Sequence, residues 1–377
     1  MADQSRIRIA VVGLRFGAEF VPIYLDHPDV QSVAVCDSDP ARLDKVLGRF
    51  AIKKHFTDLE EVIASDEIDA VHLLTGIPDH ARQSIAVLKS GKHCGCAVPM
   101  ATNIEDLKAV IAAARDSGRN YMMMETDVFT RQFFYARQLR DSGDFGRIQF
   151  LRGAHYQDME GWPPYWDGLP PMWYATHAVG PLLALAGTRA VRVHCFGSGE
   201  MREELHRQYA NPYPIETAIY QLAAPGLCAE VTRSLFHCAR PYMANFTVYG
   251  ENASYEWQMN AEDPVLFRMS PIVPGRTRRE TVERPEPPDR ADWLPAPVAR
   301  YTKRFVYGLD ERQLPFEQGG GAHGSYPHMA HEFVRSIIER RQPAIDPVTS
   351  ADWTAAGICA HESAMAGGRE VIVPDFV

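Results

Sequence analysis

A strand that ends in a glycine turn and leads into a helix constrains this chain more than any other feature. The stretch IRIAVVG, residues 7–13, is a continuous apolar run typical of a buried parallel strand, and Gly13 closes it. A second strand, VQSVAVCD, ends on Asp37, 24 residues after Gly13. A dinucleotide-binding unit places its phosphate turn and its ribose-binding acid in this order. Strand–helix alternation continues to about residue 125 and predicts a doubly wound parallel sheet of Rossmann type.

The glycine turn, VVGLRFGAEF, departs from the usual dinucleotide pattern. Arg15 stands at the second glycine position and Ala18 at the third. Either the pyrophosphate sits differently, or Arg15 points away and adds a charge contact; a turn without any ligand is the remaining alternative. Asp37 favours NAD, because a carboxylate bonds the ribose 2′-OH and repels a 2′-phosphate. The nearest candidate for reading such a phosphate, Arg42, fits a helix surface better. The cofactor contacts expected at this turn are Gly13, Arg15, Phe16, Gly17 and Asp37.

The character of the chain changes near Gly146, where strands with alternating polarity begin to dominate. They predict an α+β domain with a large open, mainly antiparallel sheet, interrupted by a helix over 175–185. We therefore expect two domains, residues 1–125 for the dinucleotide and residues 126–377 for substrate binding and oligomerisation. The Pro- and Arg-rich stretch 271–315 is expected to be one long loop, and a helix pair with a final strand closes the chain.

Composition excludes several function classes. A net charge of −9 argues against a nucleic-acid surface, which needs clustered Lys and Arg. The chain lacks an apolar run of about 18 residues for a membrane span. Its N-terminus lacks the apolar segment of a signal peptide, so we expect a cytoplasmic protein. Seven scattered cysteines indicate reduced thiols, and the spacing of Cys94 and Cys96 does not suit zinc, so no metal is expected.

The order of these pieces resembles the glucose–fructose oxidoreductase / inositol dehydrogenase (Gfo/Idh/MocA) family over nearly the whole chain. The resemblance rests on the Rossmann half, the strand end TGIPDH, the segment GKHCGCAVP and the open-sheet domain. It implies further cofactor contacts at Thr75, His80 and Pro99. Members of this family usually pair through their exposed sheets, so the resemblance also implies a homo-oligomer, a dimer or a tetramer.

Two patterns of the family are altered here. Ordinary members have Glu-Lys-Pro where this chain has Ala-Val-Pro, and the family lysine relays the proton of the substrate hydroxyl. Val98 stands at that position and cannot relay a proton, while Lys92 lies in the turn before the strand. The family pattern Asp-x-Gly-x-His-x-x-Asp matches WYATHAVGP, which keeps His177 but has Trp173 and Gly180 at the two aspartate positions.

The segments YATHAVGP, MMMET and GGGAHGSYPH are closer to a side branch of the family. That branch contains glycoside hydrolase family 109 and related NAD-dependent glycosidases such as the sulfoquinovosidases. In these enzymes a tightly held NAD⁺ oxidises a sugar hydroxyl, at C3 in our interpretation, to a ketone. The ketone acidifies the C2–H and the aglycone leaves by elimination; water then adds, and NADH reduces the ketone again. The resemblance implies the same reaction here, with a sulfoquinovoside as one candidate substrate.

Three residues are candidates for proton transfer. Tyr174 and His177 are three positions apart at a helix start and therefore share a face, and a phenol and an imidazole can both accept protons. His177 is carried over most directly from the family; without the family it would equally suit a packed helix-start histidine. Glu125 ends the strand YMMME, and the carboxyl ends of parallel strands face the ligand crevice. A surface acid is the alternative for Glu125.

The aromatic stretch AHYQDMEGWPPYWDGLPPMW suits stacking against a sugar ring, although aromatic residues propping a long loop would look the same. Arg233 lies mid-strand in apolar surroundings, where an arginine needs an anionic partner: Glu216, Glu230 or an acidic group on the sugar such as a sulfonate. The glycine-rich segment EQGGGAHGSYPH would let His323 reach the substrate, or it is a lid without contact. The substrate candidates are His155, Asp158, Trp162, Trp166, Trp173, Arg233 and His323.

Three functions remain open at this point. The first is an NAD-dependent glycosidase that acts on a small-molecule sugar or glycoside. The second is a sugar dehydrogenase whose proton relay has moved to Tyr174 or His177, with net formation of NADH. The third is a non-catalytic sensor of nucleotide and sugar, which should lack a replacement acid–base set; Glu125 and His155 are also available for such a set here.

Overall fold

The computed structural model describes residues 6–240, 242–257, 263–307 and 316–377. The chain forms two compact units, one of residues 1–130 with 289–351 and one of residues 131–288 with 352–377. The division predicted at residue 125 falls near the first of these breaks. The return of residues 289–351 to the first unit was not anticipated from the sequence.

The first unit contains a six-stranded sheet in which every pair of neighbouring strands is parallel. Its strands are β1 Ile7–Val12, β2 Val30–Cys36, β3 Lys54–Phe56, β4 Ala70–Leu73, β5 His93–Cys96 and β6 Tyr121–Met123. The spatial order is β3-β2-β1-β4-β5-β6, so the chain reverses direction across the sheet between β1 and β4. Ligands of open α/β sheets bind at such a switch point, outside the carboxyl ends of the strands. The predicted doubly wound Rossmann sheet is confirmed.

Six helices accompany this sheet. They are α1 Leu14–Gly17, α2 Val21–Asp26, α3 Pro40–Leu47, α4 Leu59–Ala64, α5 His80–Lys89 and α6 Ile104–Ser117. The chain turns between α1 and α2, and Pro22 occupies the first turn of α2. Helix α6 begins after Asn103, whose side chain accepts a hydrogen bond from the backbone N–H of Asp106 at 2.8 Å.

The second unit begins with helix α7 Arg131–Asp141 and builds a wide sheet. Its further helices are α8 Thr176–Ala186 and α9 Glu203–His206. Its strands up to residue 288 are β7 Ile148–Tyr156, β8 Ala190–Ser198, β9 Ile215–Leu222, β10 Cys228–Ser234, β11 Met243–Gly250, β12 Ala253–Glu256, β13 Val265–Met269 and β14 Glu280–Glu283. Helix α8 confirms the helix predicted over 175–185.

Residues 289–351 add a smaller set of elements to the first unit. These are helices α10 Ala296–Ala299 and α11 Ser325–Ile338, and the paired strands β15 Phe305–Tyr307 and β16 Phe316–Gln318. The prediction of one long loop over 271–315 was wrong, because β14, α10 and β15 lie within it; residues 308–315 are outside the described ranges. Strand β14 has the polar sequence ETVE and pairs with β13 through its backbone. The Pro- and Arg-rich composition around it gave no sign of a strand.

Helix α12 Pro347–Met365 and strand β17 Val371–Ile372 end the chain. With β17 at one edge, the second sheet has nine strands in the order β14-β13-β12-β11-β7-β10-β9-β8-β17. Its pairs are antiparallel except β7 with β10, so the mainly antiparallel sheet predicted from the sequence is confirmed. None of the helices in the described ranges is long and apolar enough to cross a membrane.

Candidate functional site

The turn between β1 and α1 requires glycine at its first position. Gly13 has φ 91°, a conformation that side-chain-bearing residues rarely adopt, and a Cβ there would lie 2.4 Å from the carbonyl oxygen of Leu74. A Cβ on Gly17 would lie 2.9 Å from Val11 Cγ1. The turn therefore runs directly against the ends of its neighbouring strands, as the glycines of a dinucleotide-binding turn allow.

Asp37 lies beside this turn at the end of β2. Its side chain is buried; one carboxylate oxygen accepts a hydrogen bond from Leu14 N at 2.7 Å and the other from Asp39 N at 2.9 Å. The guanidinium of Arg42 is 2.9 Å from Asp39 and 3.8 Å from Asp37. The carboxylate is thus held next to the phosphate turn, where the acid of a dinucleotide site meets the ribose.

Arg15 and Phe16 are both exposed at the turn. The Phe16 ring is 40% exposed and meets the rings of Phe20 and Tyr326 edge-on, with centroids 5.4 and 5.6 Å away. Tyr326 lies in the glycine-rich segment EQGGGAHGSYPH, in which Ala322 and His323 have φ of 40° and 55°. The segment thus belongs to the first unit, and a contact between His323 and substrate stays a prediction.

His80 joins two further cofactor candidates. Its Nδ1 is 2.7 Å from the carbonyl oxygen of Pro99, and its Nε2 is 3.2 Å from that of Thr75. Burial by itself would lower the pKa of His80, but Cys96 and these two carbonyl groups outweigh it and raise the pKa to about 9. Because carbonyl oxygens only accept hydrogen bonds, a doubly protonated ring satisfies both contacts. The site therefore holds a buried positive charge between the backbone segments that follow β4 and β5.

The position of the family lysine carries a buried apolar side chain. Val98 is 6% exposed and precedes the buried Pro99. Glu125, at the end of β6, is also fully buried, and its Oε1 accepts a hydrogen bond from Asp127 N at 3.0 Å. The alternative of a surface acid at Glu125 is therefore wrong. Cys94 and Cys96 are buried free thiols of β5.

A cluster of rings in the second unit contains both proton-transfer candidates of that unit. Tyr174 OH and His177 Nε2 are 3.4 Å apart, and their ring centroids are 5.4 Å apart. The ring of His155 lies 5.0 Å from that of His177 and 5.0 Å from that of Tyr242. Trp166 meets Tyr174 edge-on at 4.9 Å. We call His155, Trp166, Tyr174, His177 and Tyr242 the ring cluster.

Local structure brings the ring cluster together. His155 is the penultimate residue of β7, and Gly153 two residues earlier allows α8 to approach, since a Cβ there would lie 2.7 Å from the carbonyl oxygen of Ala178. The polypeptide forms a 3₁₀ turn over Pro171–Tyr174 and enters α8 at Thr176, which puts His177 in the first turn of that helix. The strand and the helix therefore meet at the imidazoles.

His155 is the least satisfied member of the ring cluster. It is fully buried, and in the described ranges neither of its ring nitrogens has a hydrogen-bond partner. Burial, and then the charges of Arg233 and His177, hold the pKa of His155 well below its usual range. Such a neutral imidazole has one donor and one acceptor, which matches a hydroxyl group.

Arg233 is fully buried and donates to neutral acceptors around the ring cluster. Its Nε donates to Tyr174 O at 2.7 Å, one terminal nitrogen donates to the carbonyl oxygens of His155, at 3.1 Å, and Ser234, and the other donates to Gln157 Oε1 at 2.9 Å.

The two glutamates named as partners for Arg233 bond elsewhere. Glu216 accepts from Met172 N and contacts His361, while Glu230 is 2.9 Å from Arg152. The expectation that one of them forms the ion pair is therefore not supported by their hydrogen bonds. Pairing across the sheet placed Arg233 beside carbonyl groups that no local pattern reveals.

The remaining substrate candidates of the second unit are spread along the loop after β7 and the 3₁₀ turn that follows it. Trp162 is 45% exposed and meets Trp166 at 6.3 Å. Trp173 packs against Tyr209 and His361 instead, at 5.9 and 5.7 Å. Asp158 is exposed, and its carboxylate accepts from Glu160 N at 3.1 Å. The structure thus brings Trp166 to the proton-transfer candidates, while Asp158 is used within the loop.

Sequence reasoning missed Tyr242 and Gln157. Tyr242 is 53% exposed and precedes Met243, which pairs with Tyr156 of β7. The position of Tyr242 just before β11 indicated a place near His155, but only to a reader who already knew that β11 pairs with β7. Gln157 follows β7 directly and offered no pattern of its own.

Comparisons with known proteins agree with this architecture. Residues 7–125 match the family model GFO_IDH_MocA, described as an oxidoreductase family with an NAD-binding Rossmann fold. A "Glycosyl hydrolase family 109 protein" of Saccharopolyspora erythraea is 22% identical over 98% of this chain and 83% of its own length. A protein of the same name from Streptomyces niveus is 24% identical over 99% of this chain and 78% of its own length.

Among solved structures, levoglucosan dehydrogenase in complex with NADH and levoglucosan is similar to this chain. The superposition of the two structures has a TM-score of 0.77 and covers 98% of this chain and 100% of the dehydrogenase chain, with 19% sequence identity. At this identity the likeness concerns the fold, and it extends over both units.

Proposed function

We propose that this chain, whose residues 7–125 belong to the Gfo/Idh/MocA oxidoreductase family, is an NAD-dependent glycosidase. Its cofactor is NAD, as the match to an NAD-binding Rossmann family states. The substrate is a small glycoside, and the reaction hydrolyses it with the cofactor recycled. We further propose residues 1–125 as the dinucleotide-binding domain and residues 126–377 as the substrate and oligomerisation domain of a cytoplasmic homo-oligomer.

The residues at the glycine turn fit the cofactor. Gly13 and Gly17 leave no room for a Cβ, and the Asp37 carboxylate is held beside them by Leu14 N. We propose that these residues, with Arg15, Phe16, Thr75, His80 and Pro99, hold the nucleotide. When bound, NAD⁺ supplies a reversible oxidant for a sugar hydroxyl, which we assign to C3.

In this proposal, side chains of the protein carry out the proton transfers. We propose that Tyr174 takes the proton of the sugar hydroxyl and that His177, 3.4 Å from it, receives or relays a proton at C2. A C3 ketone makes the C2–H acidic, so the aglycone leaves by elimination and water then adds. Neutral His155 pairs with a sugar hydroxyl, and Trp162 and Trp166 stack against the sugar. Glu125 and His323 remain further candidates.

The observation that carries the proposal is the phenol–imidazole pair of the ring cluster. Next to it lies His155, whose ring nitrogens have no hydrogen-bond partner among the described residues. A buried valine at position 98 supports it, because the proton relay of an ordinary dehydrogenase of this family requires a lysine there. The two relatives named glycosyl hydrolase family 109, which match over nearly the whole chain, add further support.

The proposal is tested with a panel of nitrophenyl glycosides that includes a sulfoquinovoside, with and without added NAD⁺. Nitrophenol and NADH are followed in the same cuvette. Catalytic release of nitrophenol without net NADH is expected and identifies the sugar. Formation of NADH without nitrophenol contradicts the proposal and favours a sugar dehydrogenase; absence of both favours a sensor. His177→Asn should lose the activity, while His194→Asn, at an exposed histidine of β8, should keep it.

A further inference from the structure

We propose that Arg233 and Glu216 are positioning residues that fix the turn carrying Tyr174 by bonding two of its backbone groups, the N–H of Met172 and the C=O of Tyr174. Arg233 then serves the backbone and does not bind an anionic group of the substrate. The inference deepens the proposed function, because it concerns the residue that we assign to the hydroxyl proton, and part of its test needs no substrate.

Both residues lie at one point of the second sheet. Glu216 on β9 and Arg233 on β10 are direct partners in the antiparallel register, and both are fully buried. Directly opposite residues of paired strands project to the same face of a sheet. The face that they share is the one beneath the 3₁₀ turn Pro171–Tyr174.

Each residue bonds a different backbone group of this turn. Glu216 Oε2 accepts a hydrogen bond from Met172 N at 2.9 Å, and Arg233 Nε donates to Tyr174 O at 2.7 Å. Only Trp173 lies between Met172 and Tyr174. The N–H of the one and the C=O of the other are thus both satisfied by buried charged side chains, and such hydrogen bonds are stronger than neutral ones.

Glu216 is itself held in place. Its Oε1 is 2.7 Å from His361 Nδ1 on α12, and the His361 ring packs edge-on against Trp173 at 5.7 Å. Helix α12 also presses on the turn, since a Cβ on Gly357 would lie 2.1 Å from Met172 O. The turn therefore has a fixed support on the side of Met172.

Arg233 holds the side of Tyr174 and extends to His155. Its guanidinium carbon is 5.3 Å from the centroid of the Tyr174 ring, and a terminal nitrogen donates to His155 O at 3.1 Å. A second terminal nitrogen donates to Gln157 Oε1 at 2.9 Å. One planar group thus links Tyr174 to the strand that carries His155. A lysine has three donors on one atom and cannot span the same set of acceptors.

The test compares Arg233→Lys with Glu216→Gln and a control, Arg152→Lys. Lysine at position 233 keeps the positive charge but lacks the planar guanidinium group with its separate donors. Glutamine at position 216 keeps an oxygen that can accept from Met172 N. Arg152 lies on β7 and forms a partly exposed ion pair with Glu230, so its replacement by lysine is the same chemical change away from the turn. Circular dichroism establishes which variants are folded.

Amide hydrogen exchange of the free protein, followed by mass spectrometry, measures how firmly the turn is held without any substrate. In Arg233→Lys, exchange of the peptide that contains residues 172–174 should rise about tenfold or more, because its opening is no longer opposed at Tyr174. It should stay near wild type in Glu216→Gln and Arg152→Lys. Unchanged exchange in folded Arg233→Lys overturns the proposal. If Arg233→Lys does not fold, Glu216→Met, which removes the acceptor for Met172 N, must show the same rise.

Activity separates positioning from anion binding. On neutral and sulfonated nitrophenyl glycosides alike, Arg233→Lys should lower kcat about tenfold or more and leave KM within about twofold. A rise in KM confined to the sulfonated substrate would show that Arg233 binds the anion, and would overturn the inference. If the wild-type protein hydrolyses no glycoside, the proposed function has failed, while the exchange result still decides whether the turn is held in this way.

Discussion

Replacing Gly13 with alanine should disable the nucleotide turn, and Gly91 provides a matched control. Both glycines have positive φ, 91° for Gly13 and 80° for Gly91, and both lie in the first unit. Among the described residues, a Cβ on Gly91 would meet no atom within 4 Å, whereas a Cβ on Gly13 would lie 2.4 Å from Leu74 O and 3.1 Å from Thr75 N. Gly91→Ala therefore adds backbone strain alone, and Gly13→Ala adds strain and a steric clash.

The two costs can be placed on a scale. Left-handed backbone in a non-glycine residue costs about 1–2 kcal/mol, so Gly91→Ala should lower the free energy of unfolding by that amount. Overpacking adds about 1–3 kcal/mol, so Gly13→Ala should lose about 2–5 kcal/mol in total. The clash is with backbone atoms, so the turn must move away from the end of β4 to accommodate it.

Urea unfolding followed by circular dichroism measures the loss of stability, and calorimetric titration with NAD⁺ measures the loss of cofactor affinity. Gly13→Ala should weaken NAD⁺ binding about tenfold or more, which corresponds to about 1.4 kcal/mol, and Gly91→Ala should leave it unchanged. Equal loss of stability in the two variants would contradict the steric clash at Gly13, and wild-type NAD⁺ affinity in Gly13→Ala would refute the assignment of this turn to the cofactor.

Three further predictions follow from the described side chains. Tyr174→Phe and His177→Asn should each lower kcat for glycoside hydrolysis by about 10²–10⁴, measured as nitrophenol release, and activity within twofold of wild type would exclude them as proton-transfer groups. Burial lowers the pKa of His72 to about 3, so the unfolded chain binds the proton first; stability should fall below about pH 6.5 by up to about 1.4 kcal/mol per unit, and His72→Gln should flatten that slope in urea titrations. The pKa of His80 is raised to about 9, so its contribution is complete below about pH 6.5 and should disappear as the pH rises to 9; an unaltered alkaline profile in His80→Gln would contradict the charged ring.

The Rossmann half was predictable because its signals are local. A glycine whose φ must be positive, an apolar strand before it and Asp37 after the next strand all lie within one short stretch of sequence. The start of α6 is equally local, because the side chain of Asn103 caps the N-terminus of the helix. Each of these features results from a few neighbouring residues, and such features are legible without the rest of the fold.

The partners of Arg233 were not predictable in the same way. Its acceptors are carbonyl groups of Tyr174 and His155 and the side chain of Gln157, which come together through strand pairing and a 3₁₀ turn. Sequence reasoning correctly asked what a buried arginine binds, but it considered only carboxylates and the substrate. Backbone acceptors carry no sequence signature.

The return of residues 289–351 to the first unit has the same origin. The ring of Tyr326 packs on Phe16 and Phe20, and Gln318 Nε2 donates to Glu19 O at 2.9 Å, both across some 300 residues of chain. Tyr174 and His177 were selected as residues three apart at a helix start, but only His177 lies on α8. The 3₁₀ turn before the helix brings Tyr174 to it. Tyr242 joined them only through the pairing of β11 with β7.

Solvent deuterium at C2 of the released sugar is the most direct test of the central claim. The protein, loaded with NAD⁺, is incubated in D₂O with the nitrophenyl glycoside that the panel identifies, and the sugar is analysed by NMR while NADH is monitored. Proton removal from C2 predicts deuterium at that carbon, release of nitrophenol and no net NADH. A sugar that keeps its hydrogen at C2, with NADH formed in step with its consumption, would contradict the account.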